Sequence, residues 1–584
     1  MELKKLAPWI IVLAVALGVR ALYLFEIMDN PFFDHPVVDE MTYDNQAKAL
    51  VAGDADMNRR FATTAYYQSP IYSFFLAAIY GTFGRDFLWV RIIQALIGAA
   101  SALLVYALGL KMLGRKTALV CSLAAAAYPV TVYFDAELLS TPLITLFCLA
   151  AILTLLAKRW LAAGLFLGLA LITRGDIGLF IVASMLYAWI ESREKKDLLR
   201  RLAPQALIVA PIILCVLPIT LRNYRVTGDL VLLSTNPGLN FYLGNNPDYP
   251  STVEMRPSKE WTEFMAEPMK QGLTRASDHS RYYFGKSWQS MKEDASWVPG
   301  VLANKVWRFV NGREWMRNRE IYPFRGFSRY LWGTLWIKGV AFPYGLLSPF
   351  AVLGLALGLF TKSNKAVRLS SLFVLCLGAA TVIFFVTSRY RAPVLGVQIL
   401  LAGLAVERLT GWAREKRTAA LAAGCAGLLG VGLLANVGSG SEPVEFNPDA
   451  LAGAALQIAH EGDMELAENF LVRALKQDPT YALAYNNLAN MQSHTGRLNE
   501  AVFNYFRALE NNPEYELAQK NLMTTVNSLP GANEDLLLAA AKAALEPRSA
   551  ERRLEFAGAL EAAGQPDLGL AQRIEAQRLA GLQN

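Results

Sequence analysis

Val37-Val38-Asp39-Glu40-Met41-Thr42-Tyr43-Asp44 places two adjacent acids just after the first apolar stretch of the chain, Leu6 to Ile27, and at the start of an amphipathic run, Tyr43 to Leu50. A carboxylate there sits at a membrane surface, close to lipid headgroups yet within reach of a water-soluble partner. That position suits a base that takes a proton from an acceptor while the other substrate stays anchored in lipid. A merely solvated acidic loop has the same local look, so the rest of the chain must decide between the two.

The 584 residues are 54% hydrophobic and 18% charged, with a mean hydropathy of +0.28, as expected of a polytopic membrane protein with room for two or more domains. The net charge of +7 and pI near 9.0 do not call for a nucleic-acid partner. Most Lys and Arg before residue 420 sit in short clusters between apolar runs, where membrane topology accounts for them. The five cysteines, Cys121, Cys148, Cys215, Cys376 and Cys425, all lie in apolar runs, at spacings of neither a zinc site nor a disulfide framework. They read as small buried hydrophobes. Lys4-Lys5 and the run from Leu6 to Ile27 read as an uncleaved anchor rather than a signal cut after Ala14-Val15-Ala16, because the apolar run continues past that site.

Apolar length and flanking charge predict about eleven spans, near 8–27, 87–110, 117–135, 139–157, 160–173, 176–190, 205–221, 331–360, 369–387, 393–410 and 418–436. With Lys4-Lys5 in the cytoplasm, alternate loops hold Lys111/Arg115/Lys116, Lys158/Arg159, Arg193/Lys195/Lys196/Arg200/Arg201, Lys362/Lys365/Arg368 and Arg414/Lys416/Arg417. Every cytoplasmic loop is then basic. The outer face receives residues 28–86, the long loop 222–330 and everything after about 437, so Asp39 is predicted to face outward with the soluble tail.

Within 28–86, Gln68-Ser69-Pro70-Ile71-Tyr72 leads into Ser73 to Phe83, a piece too short to span and better suited to a surface-lying or re-entrant helix. The loop 222–330 opens with Arg222-Asn223-Tyr224 and continues through Thr235-Asn236-Pro237-Gly238-Leu239-Asn240-Phe241-Tyr242-Leu243-Gly244-Asn245-Asn246-Pro247. Such turn-forming, amide- and aromatic-rich sequence suits a sugar-binding cover, with Asn240 and Asn245 as contacts beside Tyr43; an ordinary exterior loop has the same composition.

The core of 1–436 ends at a flexible linker, 437–446, carrying Gly438-Ser439-Gly440-Ser441-Glu442-Pro443. Beyond it Ala467 and Ala501, Ala474 and Ala508, and Pro479, Pro513 and Pro547 recur at the 34-residue tetratricopeptide period. Leu451, Ile458 and Leu471, then Tyr485, Leu488 and Tyr505, take the large packing positions. Two units, 448–481 and 482–515, a degenerate third to about 549 and a terminal cap over 550–584 make an α-solenoid of 447–584, which offers a surface for an acceptor peptide or partner. The fold class is thus mostly α, a multispan helical core followed by a soluble solenoid.

Arginines within or beside apolar runs need a reason. Arg20, Arg91, Arg174, Arg222, Arg389 and Arg391 all map to the outer half of the membrane and are predicted to converge on Asp39. Forked guanidinium donors beside an outer carboxylate are what a lipid-linked phosphate requires, since they hold phosphate oxygens and stabilise charge as the phosphate leaves. Snorkelling to headgroups is the plain alternative for each one. Arg91 and Arg389 are the leading candidates.

Asp39-Glu40-x-x-Tyr43, Ser69-Pro70-Ile71-Tyr72, Val90-Arg91-Ile92-Ile93-Gln94-Ala95-Leu96-Ile97-Gly98, Gly168-Leu169-Ala170-Leu171-Ile172-Thr173-Arg174, Leu221-Arg222-Asn223-Tyr224 and Ser388-Arg389-Tyr390-Arg391-Ala392-Pro393 follow one another along the first 412 residues. In that order they resemble the GT-C-fold glycosyltransferases of the protein mannosyltransferase and aminoarabinose transferase type (glycosyltransferase family 39-like), which use polyprenyl-phosphate sugars. The resemblance implies a catalytic role for Asp39, with Glu40 beside it, donor binding by Arg91, and a match of Arg389-Tyr390 to the family's late Arg-Tyr. Two departures stand out. Gln68-Ser69-Pro70 replaces the Lys-Pro-Pro approach of aminoarabinose transferases, leaving phosphate binding to other residues, and 222–330 carries nothing like a β-trefoil. A multispan transferase with outward tetratricopeptide repeats resembles the arrangement of animal O-mannosyltransferases, which favours a protein acceptor.

The expected reaction is an inverting single displacement on the outer face. Asp39 takes the acceptor proton, Glu40 orients the acceptor or tunes Asp39, and Arg91, Arg174, Arg222, Arg389 and Tyr390 hold the polyprenyl phosphate. No cofactor is required, and His35, His279, His460 and His494 are scattered; a divalent ion on Asp39 and Glu40 is compatible with the sequence. The expected location is a bacterial inner or plasma membrane. Rival readings are a lipid or cell-surface glycan transferase or ligase, a lipid-linked-sugar transporter, and a scaffold whose active part is the repeats.

Overall fold

The computed structural model describes residues 2–52, 64–194, 197–255, 259–317, 320–361, 364–438 and 445–583. The chain divides into two compact units, Met1–Val444 and Glu445–Asn584. Apart from Gly438, the Gly/Ser linker lies outside the described residues, as do Lys195, Lys196 and Lys362 of the basic loops. Among the described residues there are helices and one isolated bridge, Trp336 to Phe342, with no strand.

Among the described residues of the first unit seven helices are long and apolar enough to cross a membrane: Lys5–Ile27, Phe87–Met112, Gly175–Ser192, Leu198–Thr227, Lys365–Ile383, Ser388–Arg414 and Thr418–Asn436. The chain is an integral membrane protein. Arg115–Ala126 and Pro129–Ala136 form an apolar pair bent by 45°, a broken span or a re-entrant loop, because Pro129 cannot donate a backbone hydrogen bond into the preceding turn. The three other expected spans appear as shorter apolar helices, Thr141–Leu156, Trp160–Thr173 and Tyr344–Phe360. The expected span 331–360 is broken: a short helix, Arg329–Thr334, is followed by a turn at Gly339 (φ +77°) and the cis Phe342–Pro343 bond before the apolar helix begins. Close packing uses missing side chains; a Cβ on Gly354 would stand 1.9 Å from the Leu401 carbonyl oxygen, so no larger residue fits between those helices.

The first-loop acids open a helix, Asp39–Ala52, and the short apolar piece is a helix, Ile71–Phe83. The two pack through Tyr43, Ala47, Tyr72, Leu76 and Tyr80, with the Tyr43 and Tyr72 rings edge to face at 4.9 Å. The segment 222–330 is more helical than its turn-rich sequence suggests: Pro237–Gly244, Tyr249–Glu254, Lys259–Lys270, Ala276–Glu293 and Val298–Val310. Pro237 at a first helical position has no amide hydrogen to leave orphaned, so a stretch that reads as a turn starts a helix instead. Leu239, Leu243, Tyr249, Tyr283 and Phe385 form its core, with Tyr242, Trp261 and Phe264 packed against them.

The second unit is four helix pairs, beginning at Pro448, Ala482, Glu516 and Ala550. Ala467, Ala474, Ala501 and Ala508 are fully buried at the close approaches, and Leu451, Ile458, Leu471, Leu488 and Tyr505 fill the spaces between. The third unit and the cap are complete pairs; Phe556, Leu560 and Leu568 of the cap join one core with Tyr505, Phe506 and Leu522. Arg553 is buried there, held by Glu510 at 2.7 Å and lying 3.5 Å from the Phe506 ring centre.

Candidate functional site

Asp39 starts its helix from a strained approach: Val38 has φ +53°, a left-handed conformation that β-branched residues avoid at a cost of about 1–3 kcal/mol. The Val38 carbonyl accepts from both the amide and the hydroxyl of Thr42, at 3.1 and 3.0 Å, which holds this turn in place. The positive end of the helix dipole favours the negative charges of Asp39 and Glu40.

The two acids then part. Asp39 Oδ2 accepts from Arg389 Nη1 at 2.7 Å, whereas Glu40, 5% exposed, turns inward and accepts from the Leu138 amide at 2.9 Å. The printed contacts of the two acids thus lead to different elements. Among the described residues no group of three or more His, Cys, Asp or Glu is placed to hold a metal ion.

Arg389 is brought in by the N-terminus of the helix Ser388–Arg414, whose capping residue Thr387 accepts from the Tyr390 amide. Arg174 leaves its helix in extended conformation at the break after Thr173. Its Nη1 donates to the Arg389 carbonyl at 3.2 Å, its Nη2 pairs with Asp176, and its guanidinium lies 4.5 Å from the Tyr390 ring centre. The Nε of Arg174 and of Arg389 are both buried without a hydrogen-bond partner among the described residues.

These groups line one cavity of about 700 Å³, together with Glu40, Tyr43, Tyr67, Glu137, Asn236, Asn240, Trp261, Arg317, Phe385 and three methionines, Met255, Met265 and Met316. Arg317 sits between the faces of Trp261 and Phe385, at 5.3 and 5.4 Å. Burial pushes the Tyr43 phenol above its ordinary value, with the Arg389 guanidinium opposing this and the Asp39 carboxylate adding to it. Burial likewise pushes Tyr67 up to about 12, against the pull of Arg317. Both phenols stay protonated at neutral pH.

Of the residues expected here, Asp39, Glu40, Tyr43, Arg174, Asn240, Arg389 and Tyr390 line the cavity, while Arg91, Arg222 and Asn245 do not. Each of these three makes contacts outside it. Arg91 lies 3.8 Å from the Phe33 ring centre and donates to the Phe33 and Ala136 carbonyls, both at 2.8 Å, fastening the first loop to the bent pair. Arg222 stacks on Tyr66 and donates to the Thr64 carbonyl at 2.7 Å. Asn245 bridges the Phe241 and Ile383 carbonyls and accepts from Lys305. The wider convergence of arginines also resolves into pairs elsewhere: Arg20 with Asp135 at 2.6 Å and Arg391 with Glu314 at 2.7 Å. Tyr67, Glu137, Asp176, Trp261 and Arg317 were not anticipated. Asp176 and Glu137 had a signal, as acids at the edges of apolar runs; Tyr67, Trp261 and Arg317 had none.

Residues 67–221 match the profile of the Dolichyl-phosphate-mannose-protein mannosyltransferase family, and residues 470–503 match a Tetratricopeptide repeat profile. The resemblance read from the sequence, a polyprenyl-phosphate-sugar glycosyltransferase joined to tetratricopeptide repeats, is thereby borne out. The first match includes Tyr67, Glu137 and Arg174, while Asp39 and Arg389 lie outside it. A comparison with curated proteins found no matching sequence. Among solved structures, the apo oligosaccharyltransferase of Archaeoglobus fulgidus is similar at 15% identity and a TM-score of 0.42, over 78% of this chain and 59% of the other. The chain thus spans about 59% of the length of that relative. ArnT from Cupriavidus metallidurans bound to undecaprenyl phosphate is similar at 17% identity and a TM-score of 0.37, over 93% of this chain and 80% of the other. AglB from Archaeoglobus fulgidus, in complex with an inhibitory peptide and a dolichol-phosphate, is similar at 15% identity and a TM-score of 0.38, over 78% of this chain and 59% of the other.

Proposed function

We propose that this protein transfers a sugar from a polyprenyl-phosphate donor to an acceptor hydroxyl on the outer face of the membrane, with a protein as the acceptor. The observation that carries this reading is the meeting of Asp39, Arg389 and Arg174 in one cavity, formed by segments far apart in sequence. The family match over 67–221 supports the donor class, and the repeats support a protein acceptor.

Asp39 takes the proton of the acceptor hydroxyl as its oxygen bonds to the anomeric carbon. The bond from that carbon to the phosphate oxygen breaks on the opposite side, so configuration inverts and the electron pair leaves on the phosphate. Arg389 and Arg174 stabilise the growing phosphate charge with forked donors. Trp261 and Tyr67 offer ring faces, and Asn236 and Asn240 amides, to the sugar or acceptor. No metal is required for this charge balance. Transfer from a synthetic polyprenyl-phosphate sugar to a Ser/Thr-containing peptide by the purified protein tests the reading, with Asp39→Asn as the control. Normal turnover by that variant, with the fold intact, refutes it.

A further inference from the structure

Two ion pairs lie side by side in the cavity, and they are not equivalent. Arg174 is held on three sides, by Asp176, by the Arg389 carbonyl and by the Tyr390 ring, and its side chain is 9% exposed. Arg389 and Asp39 are more open, at 20% and 31% of their side chains, and both line the cavity. Asp39 Oδ2 accepts from Arg389 Nη1 at 2.7 Å, so the carboxylate oxygen on that side is engaged until Arg389 takes another partner. The base assigned above is thus held by Arg389.

We propose that Arg389 is a switch: it holds Asp39 and is drawn away by the donor phosphate, so the base is released only when the lipid-linked donor is bound. This rests on the functional reading above. The buried Nε atoms of Arg389 and Arg174, both without partners among the described residues, supply the unfilled donors that a phosphate oxygen takes up. Arg174, fixed by Asp176, is the stationary half of the clamp and Arg389 the half that exchanges partners.

The charges balance through the step. The donor phosphodiester carries one negative charge and Asp39 another; after transfer Asp39 holds the acceptor proton and is neutral, and the departing phosphate monoester carries two. Asp39 then no longer competes for Arg389, which stays on the leaving group until product departs. This hold also keeps the base from activating an acceptor when no donor is present, so productive binding is ordered, donor first.

The test is a double-mutant cycle on the full-length protein, reading affinity for undecaprenyl phosphate in lipid nanodiscs, with melting temperature as the fold control. Binding by the wild type and loss of transfer by Asp39→Asn uphold the functional reading, and on that footing the affinities decide the switch. Asp39→Asn is expected to bind the lipid phosphate about fivefold more tightly or better, because Arg389 no longer has to leave a carboxylate. Arg389→Gln is expected to bind more weakly, and in that background Asp39→Asn is expected to bring no gain. Should Arg389→Gln fail to fold, Arg389→Lys replaces it and the gain must shrink. An unchanged or weaker affinity in Asp39→Asn overturns the switch. So does an equal gain in both backgrounds, which is what simple removal of a nearby negative charge produces.

Discussion

The Asp39 carboxylate and the Arg389 guanidinium meet at 2.7 Å although 350 residues separate them in sequence. One opens the first-loop helix and the other the helix Ser388–Arg414, so the pair ties the beginning of the membrane unit to its late spans. In the proposed mechanism, removing Arg389 takes away a donor to the departing phosphate. Arg389→Gln is therefore expected to lower kcat/KM for a polyprenyl-phosphate sugar by about 10²–10³, with a rise in donor KM, measured in steady-state transfer assays.

The two neighbouring acids are expected to separate sharply on substitution. Asp39→Asn should lose about 10²–10⁴ in kcat. In Glu40→Gln an amide oxygen still accepts from the Leu138 amide, so the loss should stay below about tenfold. Parallel single-turnover measurements check this, and equal losses would mean that Glu40 shares the proton transfer.

Glu314 and Arg391 are almost wholly buried, at 1% and 2% of their side chains. Arg391 also donates to the Asn311 carbonyl at 2.8 Å and lies 3.6 Å from the Tyr344 ring centre. It thereby pins the segment carrying Met316 and Arg317 beside the cavity. Glu314→Ala strands that charge and is expected to cost about 3–5 kcal/mol. A fall in melting temperature in detergent reads this, and Glu314→Ala combined with Arg391→Leu should recover part of it.

Lys305 is fully buried, its ammonium donating to Asn245 at 2.9 Å, and desolvation pushes its pKa down to about 7 from an ordinary 10.5. Between those values the unfolded chain holds a proton that the folded chain does not, so the folded state gains stability as pH rises through the window. Below about 7 both states are protonated and the dependence vanishes. The wild-type melting temperature should climb from about pH 7 to about pH 9.5 relative to Lys305→Met, which lacks the titrating group. Parallel curves would remove the assignment.

Because the chain divides at Val444 and Glu445, a protein ending at residue 444 is expected to keep its affinity for undecaprenyl phosphate within about twofold. Its turnover of long peptide acceptors should fall more than that of short ones. Loss of lipid-phosphate binding on truncation would contradict both the unit boundary and the proposed role of the repeats.

The order of apolar runs and the 34-residue recurrence of Ala and Pro carried most of the fold, because hydrophobic length and small-residue spacing are local properties of sequence. Asp39, Arg174 and Arg389 could be singled out because charge beside an apolar run is conspicuous. What sequence did not show is what each cation meets. Arg91 and Arg222 look as available as Arg389, yet their partners are backbone carbonyls and aromatic faces, which leave no mark at a fixed spacing. Arg391 stands two residues from Arg389, but it finds Glu314 and not Asp39, since positions two apart on a helix face different ways. Tyr67, Trp261 and Arg317 enter the cavity through the folding of segments between the apolar helices, which no periodicity encodes.

The pairing of Arg20 with Asp135 bears on how the chain is made. The guanidinium also caps the Ala126 carbonyl at the bend, and its carboxylate partner emerges 115 residues later. During synthesis the first segment therefore enters the bilayer with an unneutralised cation, and insertion machinery or water must shelter it until the bent pair arrives. Nascent chains stalled before Asp135 should be extracted from membranes more readily than those stalled after it.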